Sequence, residues 1–150
     1  MGLMPSFAWK LNPDGFSPIH LALKNGHIEL VRQLLEIDWD LARVKRKECI
    51  TPLHYVVETG DHHIDLLDKF LLVCPDSIID VTVRNETALH IALKNDKLEA
   101  FIIFVKWLRL TVYKNAELNQ RFVLNKRDNE GNTVLHIAVS KNQTKVSSLH

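Results

Sequence analysis

Eight histidines and two cysteines are the residues whose chemistry could build a metal centre or an acid–base site. His20, His54, His90 and His136 each stand three residues after a hydroxyl side chain, on Ser17, Thr51, Thr87 and Thr133. Four histidines at one repeated position fall in a row, a repeat apart, too far apart to share a metal whose bonds are about 2 Å long. They read as structural imidazoles, each bonded to the hydroxyl before it and to the neighbouring repeat. His62-His63 with Asp65 lacks the HExxH or CxxC setting of a zinc site and is expected in a solvated loop. Cys49 follows Lys45-Arg46-Lys47, and nearby positive charge lowers a thiol pKa. No resolving cysteine is adjacent and no general-base pattern accompanies it, so Cys49 and Cys74 are expected as turn or core thiols. Asp128-Asn129-Glu130-Gly131 is superficially a calcium loop, but its glycine comes too early for that spacing. No phosphate loop, nucleophile elbow, kinase signature or metal motif occurs. The chain is therefore expected to be neither an enzyme nor a holder of cofactor or metal.

Composition narrows the class. The 150 residues suit a single domain, and 46% hydrophobic with 25% charged residues suits a packed one. Nineteen basic residues balance eighteen acidic ones. That gives no broad basic field for nucleic acid and no polybasic patch for a membrane. The run Arg43–Lys47 is expected as a solvated hairpin rather than a nuclear-localisation or nucleic-acid patch. Two cysteines outside a CxxC pair point to a reducing, cytoplasmic compartment. The first residues lack a secretory signal, and Lys106 and Arg109 interrupt the apolar stretch near Phe101–Leu110. A soluble monomer without direct membrane insertion is expected.

The elements that carry the histidines repeat. Ser17-Pro18-Ile19-His20-Leu21-Ala22 recurs as Thr51-Pro52-Leu53-His54-Tyr55-Val56, Thr87-Ala88-Leu89-His90-Ile91-Ala92 and Thr133-Val134-Leu135-His136-Ile137-Ala138, at spacings of 34, 36 and 46. Each Ser or Thr is a good helix N-cap, and Pro18 and Pro52 take the first helical position, where no N–H is needed. Nine residues on stand Gly26, Gly60, Asp96 and Asn142, which tolerate the left-handed geometry that ends a short helix. Two residues before each cap stand Gly15, Cys49, Asn85 and Gly131, where the loop must turn sharply. Cys49 departs from turn chemistry, so the second hairpin is expected to be distorted.

A second helix follows each first one. Ile28–Ile37 sets Ile28, Val31, Leu34 and Leu35 on one stripe, Ile64–Leu72 sets Leu67, Phe70 and Leu71, and Leu98–Leu110 sets Phe101, Phe104, Val105 and Leu108. An extra pair near Asp61-His62 lengthens the second repeat. The excess in the third lies in Thr111–Phe122 as an added helical turn. Trp39 is expected to pack beneath a hairpin, with an exposed aromatic anchor as the alternative. The expected architecture is an all-α solenoid. It starts with the tail of a preceding repeat at 1–11, followed by repeats near 12–45, 46–81 and 82–127 (insertion 111–122). A partial repeat at 128–150 begins its second helix at Thr144-Lys145-Val146. The unfinished ends suggest a fragment or a shortened gene product.

The phased motif resembles the ankyrin-repeat family throughout Asn12–Asn142. Three strings, Asn12–Leu23, Ile50–Glu58 and Gly131–Ala138, also resemble plant ankyrin proteins of the membrane-linked PGG-domain group, which is associated with signalling and defence. The family resemblance implies a module that binds another protein on a concave face built from hairpin tips and first helices. Carried over, its contact positions are Asp14, Phe16, Lys24 and Asn25 in the first repeat, and Lys47, Glu48, Ile50, Glu58 and Thr59 in the second. The third contributes Val83, Arg84, Glu86, Lys94 and Asn95, and the fourth Asn129, Glu130, Asn132, Ser140 and Lys141. Phe16 and Ile50 are the exposed apolar candidates among them. The mixed charge suits a specific protein better than a polyanion.

Overall fold

The computed structural model describes residues 9–59, 64–110 and 116–148, without the side chains of 143–148. Eight α-helices run through these residues: α1 Pro18–Lys24, α2 Ile28–Ile37, α3 Pro52–Thr59, α4 Asp65–Val73, α5 Ala88–Lys94, α6 Leu98–Leu110, α7 Ala116–Asn125 and α8 Val134–Ser148. Antiparallel pairs α1/α2, α3/α4 and α5/α6 stack side by side, first helix on first helix and second on second. The all-α solenoid is thereby established.

The caps form as their residue types dictate. Ser17 Oγ accepts from the His20 N–H at 3.3 Å, and Thr51, Thr87 and Thr133 accept from His54, His90 and His136 at 3.4 Å. The chain leaves α1 and α5 through left-handed Gly26 (φ +74°) and Asp96 (φ +57°). Asn142 does not act likewise. α8 runs unbroken from Val134 to Ser148, so no second helix begins at Thr144. Asn142 keeps a negative φ, and lysine and glutamine beside it favour continuing the helix. Gly60, the added pair Asp61-His62, and His63 lie outside the described residues, as do Phe7-Ala8. Asp65 of that histidine cluster is exposed and pairs with Arg32 at 3.0 Å.

Packing follows the apolar stripes. Val31, Leu35, Leu66, Leu67, Phe70, Leu71 and Phe104 are fully buried, and the first helices add Ile19, Leu53 and Leu89. Leu135 occupies the same repeat position as those last three yet is 64% exposed, since α8 has no second helix paired with it among the described residues. Trp39 does not pack beneath a hairpin; it is 47% exposed. Asp38 Oδ1 accepts from the Asp40 N–H and starts a tight 3-10 turn at Trp39–Arg43, which turns Leu41 and Ala42 inward instead. Within the added segment, 111–115 lie outside the described residues, and the remainder forms α7. That helix packs on the 75–79 turn, where Asn119 Nδ2 donates to Asp76 Oδ1 at 2.9 Å.

The second hairpin is distorted for two reasons. All four residues two before the caps are left-handed: Gly15 (φ +85°), Cys49 (φ +60°), Asn85 (φ +59°) and Gly131 (φ +83°). Cysteine bears that geometry least well. Five before the caps stand Asn12, Thr82 and Asp128, whose side-chain oxygens hold the turn by accepting from N–H groups two and four residues on. Arg46 takes this position in the second repeat and has no acceptor, and Glu48 there is also left-handed (φ +67°). Cys49→Gly should therefore raise stability by about 0.5–1 kcal/mol and Cys49→Val should lower it, measured by urea unfolding. The opposite order would show that the second hairpin stores no strain at Cys49.

Candidate protein-binding face

Hairpin tips and first helices form one continuous side of the stack, and backbone hydrogen bonds tie each tip to the next. Lys47 N–H donates to Gly15 O at 3.4 Å, Val83 N–H to Glu48 O at 3.0 Å and Asn129 N–H to Arg84 O at 3.0 Å. Side chains at the tips therefore project from a fixed ladder rather than from free loops.

Beneath the ladder runs the histidine row. The Thr51 and Thr87 N–H groups donate to Nδ1 of His54 and His90 at 3.1 Å. On the far side of the rings, Nε2 donates to carbonyl oxygens: His20 to Ile50 at 2.9 Å, His54 to Asp80 at 2.9 Å and His90 to Asn132 at 3.1 Å. A backbone N–H can only donate and a carbonyl can only accept, so the His54 and His90 rings are neutral and protonated on Nε2; the Nδ1 of His20 faces the Ser17 hydroxyl instead, and its burial keeps it neutral. Burial lowers the pKa of His20 and His54 to about 4 and also lowers that of His90. The imidazoles thus join cap to neighbouring loop, as the sequence suggests. His136 makes the same contact with Thr133 but is exposed.

The contact positions divide into engaged and free groups. Lys94 is engaged, with its Nζ 2.7 Å from Glu86, 2.8 Å from Asp128 and 3.4 Å from Glu130. Burial opposes its charge, but the bonds to Asp128 and Glu86 outweigh that and raise its pKa. Burial alone would raise the Asp128 carboxyl, yet Lys94 and the N–H groups of Asn132 and Glu130 hold it below its usual range. Lys141 reaches back to Asp96 at 3.1 Å. Thr59 donates to Tyr55 O and Asn95 to Ile91 O, each within its own helix. Ile50 is not an exposed apolar contact; it is 8% exposed, and its carbonyl accepts from the buried His20 ring.

The free charges are Lys24, Lys47, Glu48, Glu58 and Arg84, which are exposed and enter no ion pair among the described residues. Asp14, Asn25 and Val83 are exposed beside them, Phe16 and Asn132 are half-buried, and the exposed Asn129 is engaged, accepting from Asn85 Nδ2 at 2.7 Å. Ser140 is exposed as well. Glu48, Ile50, Glu58, Arg84, Glu86, Ile91 and Lys94 line a cavity of about 210 Å³ between the second and third repeats. A neighbouring cavity is lined by Arg84, Glu86, Lys94, Asn129 and Glu130.

Arg46 and Tyr55 belong to this face although the family positions omit them. The Arg46 guanidinium carbon lies 4.3 Å from the Phe16 ring centroid, and Tyr55 meets Phe16 edge-on at 6.1 Å. The signal was available in the break of the small-polar pattern five before the cap. The Arg43–Lys47 run is solvated only in part, with Lys45 and Lys47 exposed and Arg43 and Arg46 half-buried. Arg43 grips Asp80 with two bonds of 2.9 and 2.6 Å, and Val44 is buried. Cys74 is buried as well, which pushes its thiol up to about 11 and makes it a core residue. Among the described residues no group of three or more His, Cys, Asp or Glu side chains could hold a metal, and no helix could cross a membrane.

A row of helical hairpins whose capped histidines reach the next unit, with tied tips on one side, defines a helical repeat protein of the ankyrin type. The family model for ankyrin repeats (3 copies) matches residues 3–68 and 62–149, and the chain belongs to that family. No curated protein matches it. Ankyrin repeats are in general protein–protein interaction modules and typically non-enzymatic.

The histidine row makes stability pH-dependent with a definite sign. A ring titrating near 6.5 when unfolded and near 4 when folded binds its proton more readily in the unfolded chain. Its contribution is complete above pH 6.5 and disappears as pH falls from 6.5 to 4, up to roughly 3 kcal/mol per ring. Melting temperature should fall across that window. A His54→Gln variant should show a shallower fall than the native chain. Equal slopes in the two proteins would contradict the assignment.

Proposed function

We propose that the chain is an adaptor or regulatory module that binds a partner protein on its concave face. The single observation that carries this reading is a set of unpaired charges, Lys24, Glu58 and Arg84 among them, standing on three successive repeats whose tips are tied together. A charge held in place without a partner has already lost part of its freedom, so less entropy is lost when a partner orders it. Two cavities beside these charges allow side chains to enter rather than merely touch. The balanced net charge favours a specific protein surface over nucleic acid. We take the module to act as a cytoplasmic monomer.

A second, finer reading concerns context. The strings Asn12–Leu23, Ile50–Glu58 and Gly131–Ala138 resemble the plant PGG-domain group. That likeness supports a role in membrane-linked signalling or defence, with the repeats on the cytosolic side of the plasma membrane. Apolar runs of about 20 residues encoded beyond His150 would mark a chain of that kind.

The binding reading is tested by affinity purification with quantitative mass spectrometry on three proteins. K24A/E58A/R84A removes free charges from the concave face, and E29A/D68A/E99A removes exposed acids from the second helices. The first should lose co-purifying proteins by roughly tenfold or more, with unchanged far-UV spectrum and melting. The second should retain them. Retention by the first and loss by the second would place binding on the other side. Lys94 is left intact because its removal would leave the buried Asp128 carboxylate unpaired and destabilise the stack.

A further inference from the structure

Given the concave face as the binding face, the reading on which this proposal rests, the uneven charge along it selects the kind of segment it takes. Lys24, Arg46 and Lys47 gather over the first two repeats. Lys24 Nζ lies 4.8 Å and the Arg46 guanidinium 4.3 Å from the Phe16 ring centroid. None of the three enters an ion pair among the described residues, and Arg46 Nε is buried without a hydrogen-bond partner. Cations resting on an aromatic ring stay ordered and retain donors for a carboxylate.

The charge reverses farther along. The 210 Å³ cavity has Glu48 and Glu58 as unpaired carboxylates, with the buried Ile50 and Ile91 also in its lining. Glu86 lines it too, already tied to Lys94, and Glu130 lines the adjoining cavity. Arg84 lines both cavities and is the one unpaired cation among the residues that line them, since Lys94 is saturated by Glu86, Asp128 and Glu130. Four glutamates against Arg84 and Lys94 leave this end negative. Apolar side chains together with a carboxylate rim match a lysine or arginine, whose methylene stem packs on isoleucine while its charged head meets the carboxylates.

We propose that the concave groove takes an extended segment of a partner protein in one direction. An acidic side chain lies against Phe16, Lys24 and Arg46, and a lysine or arginine enters the cavity edged by Glu48 and Glu58. The two charges fix the segment's polarity as well as its place, because the reversed segment would set like charges together at both ends.

The test is a displayed library of random dodecapeptides, selected on the full chain and on K24E/K47E, E48K/E58K and K24A/E58A/R84A, each first checked by far-UV spectrum and melting. The native chain should select peptides with an acidic and a basic residue in constant order, binding about tenfold better than the order-reversed peptides. E48K/E58K should lose the preference for the basic residue and keep that for the acidic one, and K24E/K47E should do the reverse. Selected peptides without that order, an order unchanged in both charge variants, or no enrichment at all would overturn the proposal. Peptides that still bind K24A/E58A/R84A at full strength would refute the concave face itself. Peptides lost on that variant but lacking the charge order would refute only the direction.

Discussion

The stack depends on one shared interaction, a neutral imidazole held between its own helix cap and the loop of the next repeat. A short helix of seven or eight residues is too brief to be stable alone, so it must borrow order from its neighbours. The Ser or Thr cap satisfies the open N–H groups of the first turn, and the histidine spends its remaining donor on a carbonyl one unit away. In a buried setting each of those groups would be costly to leave unpaired. The cap, the ring and the following loop therefore set one another's position. The second junction varies the theme, since Asp80 gives its carbonyl to His54 and its carboxylate to Arg43.

From that constraint the binding face follows. Once the loops are fixed by the rings, their tips come within hydrogen-bond reach and tie together, and charges on the tips project from a fixed backbone. The fourth unit is drawn in by the same logic through Lys94, which bonds acids from both sides of the third junction. The second hairpin departs from the pattern because Arg46 stands where a small polar acceptor would hold the turn. Its guanidinium instead stacks on Phe16. A position that serves the turn in three repeats serves the surface in one, and there Glu48 is left-handed as well.

Most of the scaffold was legible from the phased Ser/Thr-Pro/Ala-Ile/Leu-His strings, because capping, helix entry and apolar period are local properties of the chain. The bounds of α2 and α6 came directly from their stripes for the same reason. Misreadings arose where a distant partner decides the outcome. Ile50 was expected at the surface because its position is variable in the family, but its carbonyl belongs to His20. Trp39 stood between packing beneath a hairpin and an exposed anchor, and here a local feature decides, since the cap at Asp38 turns Leu41 inward in its place. Lys94 was read as a contact position without its ion pairs, because the acids that engage it lie 8, 34 and 36 residues away in sequence. Asn142 has the right residue type for a stop but continues its helix, which shows that type permits a left-handed turn without imposing one.

The central claim is that His20, His54 and His90 are neutral Nε2–H donors that bridge successive repeats. Long-range ¹H–¹⁵N correlation spectra of the histidine side chains, recorded as pH is lowered, test it most directly. The claim predicts an Nε2–H resonance for all three rings near neutral pH, and rings of His20 and His54 that stay neutral until about pH 4. Rings that exchange both tautomers, or that charge near the ordinary value of about 6.5, would show that the repeats are held together in some other way.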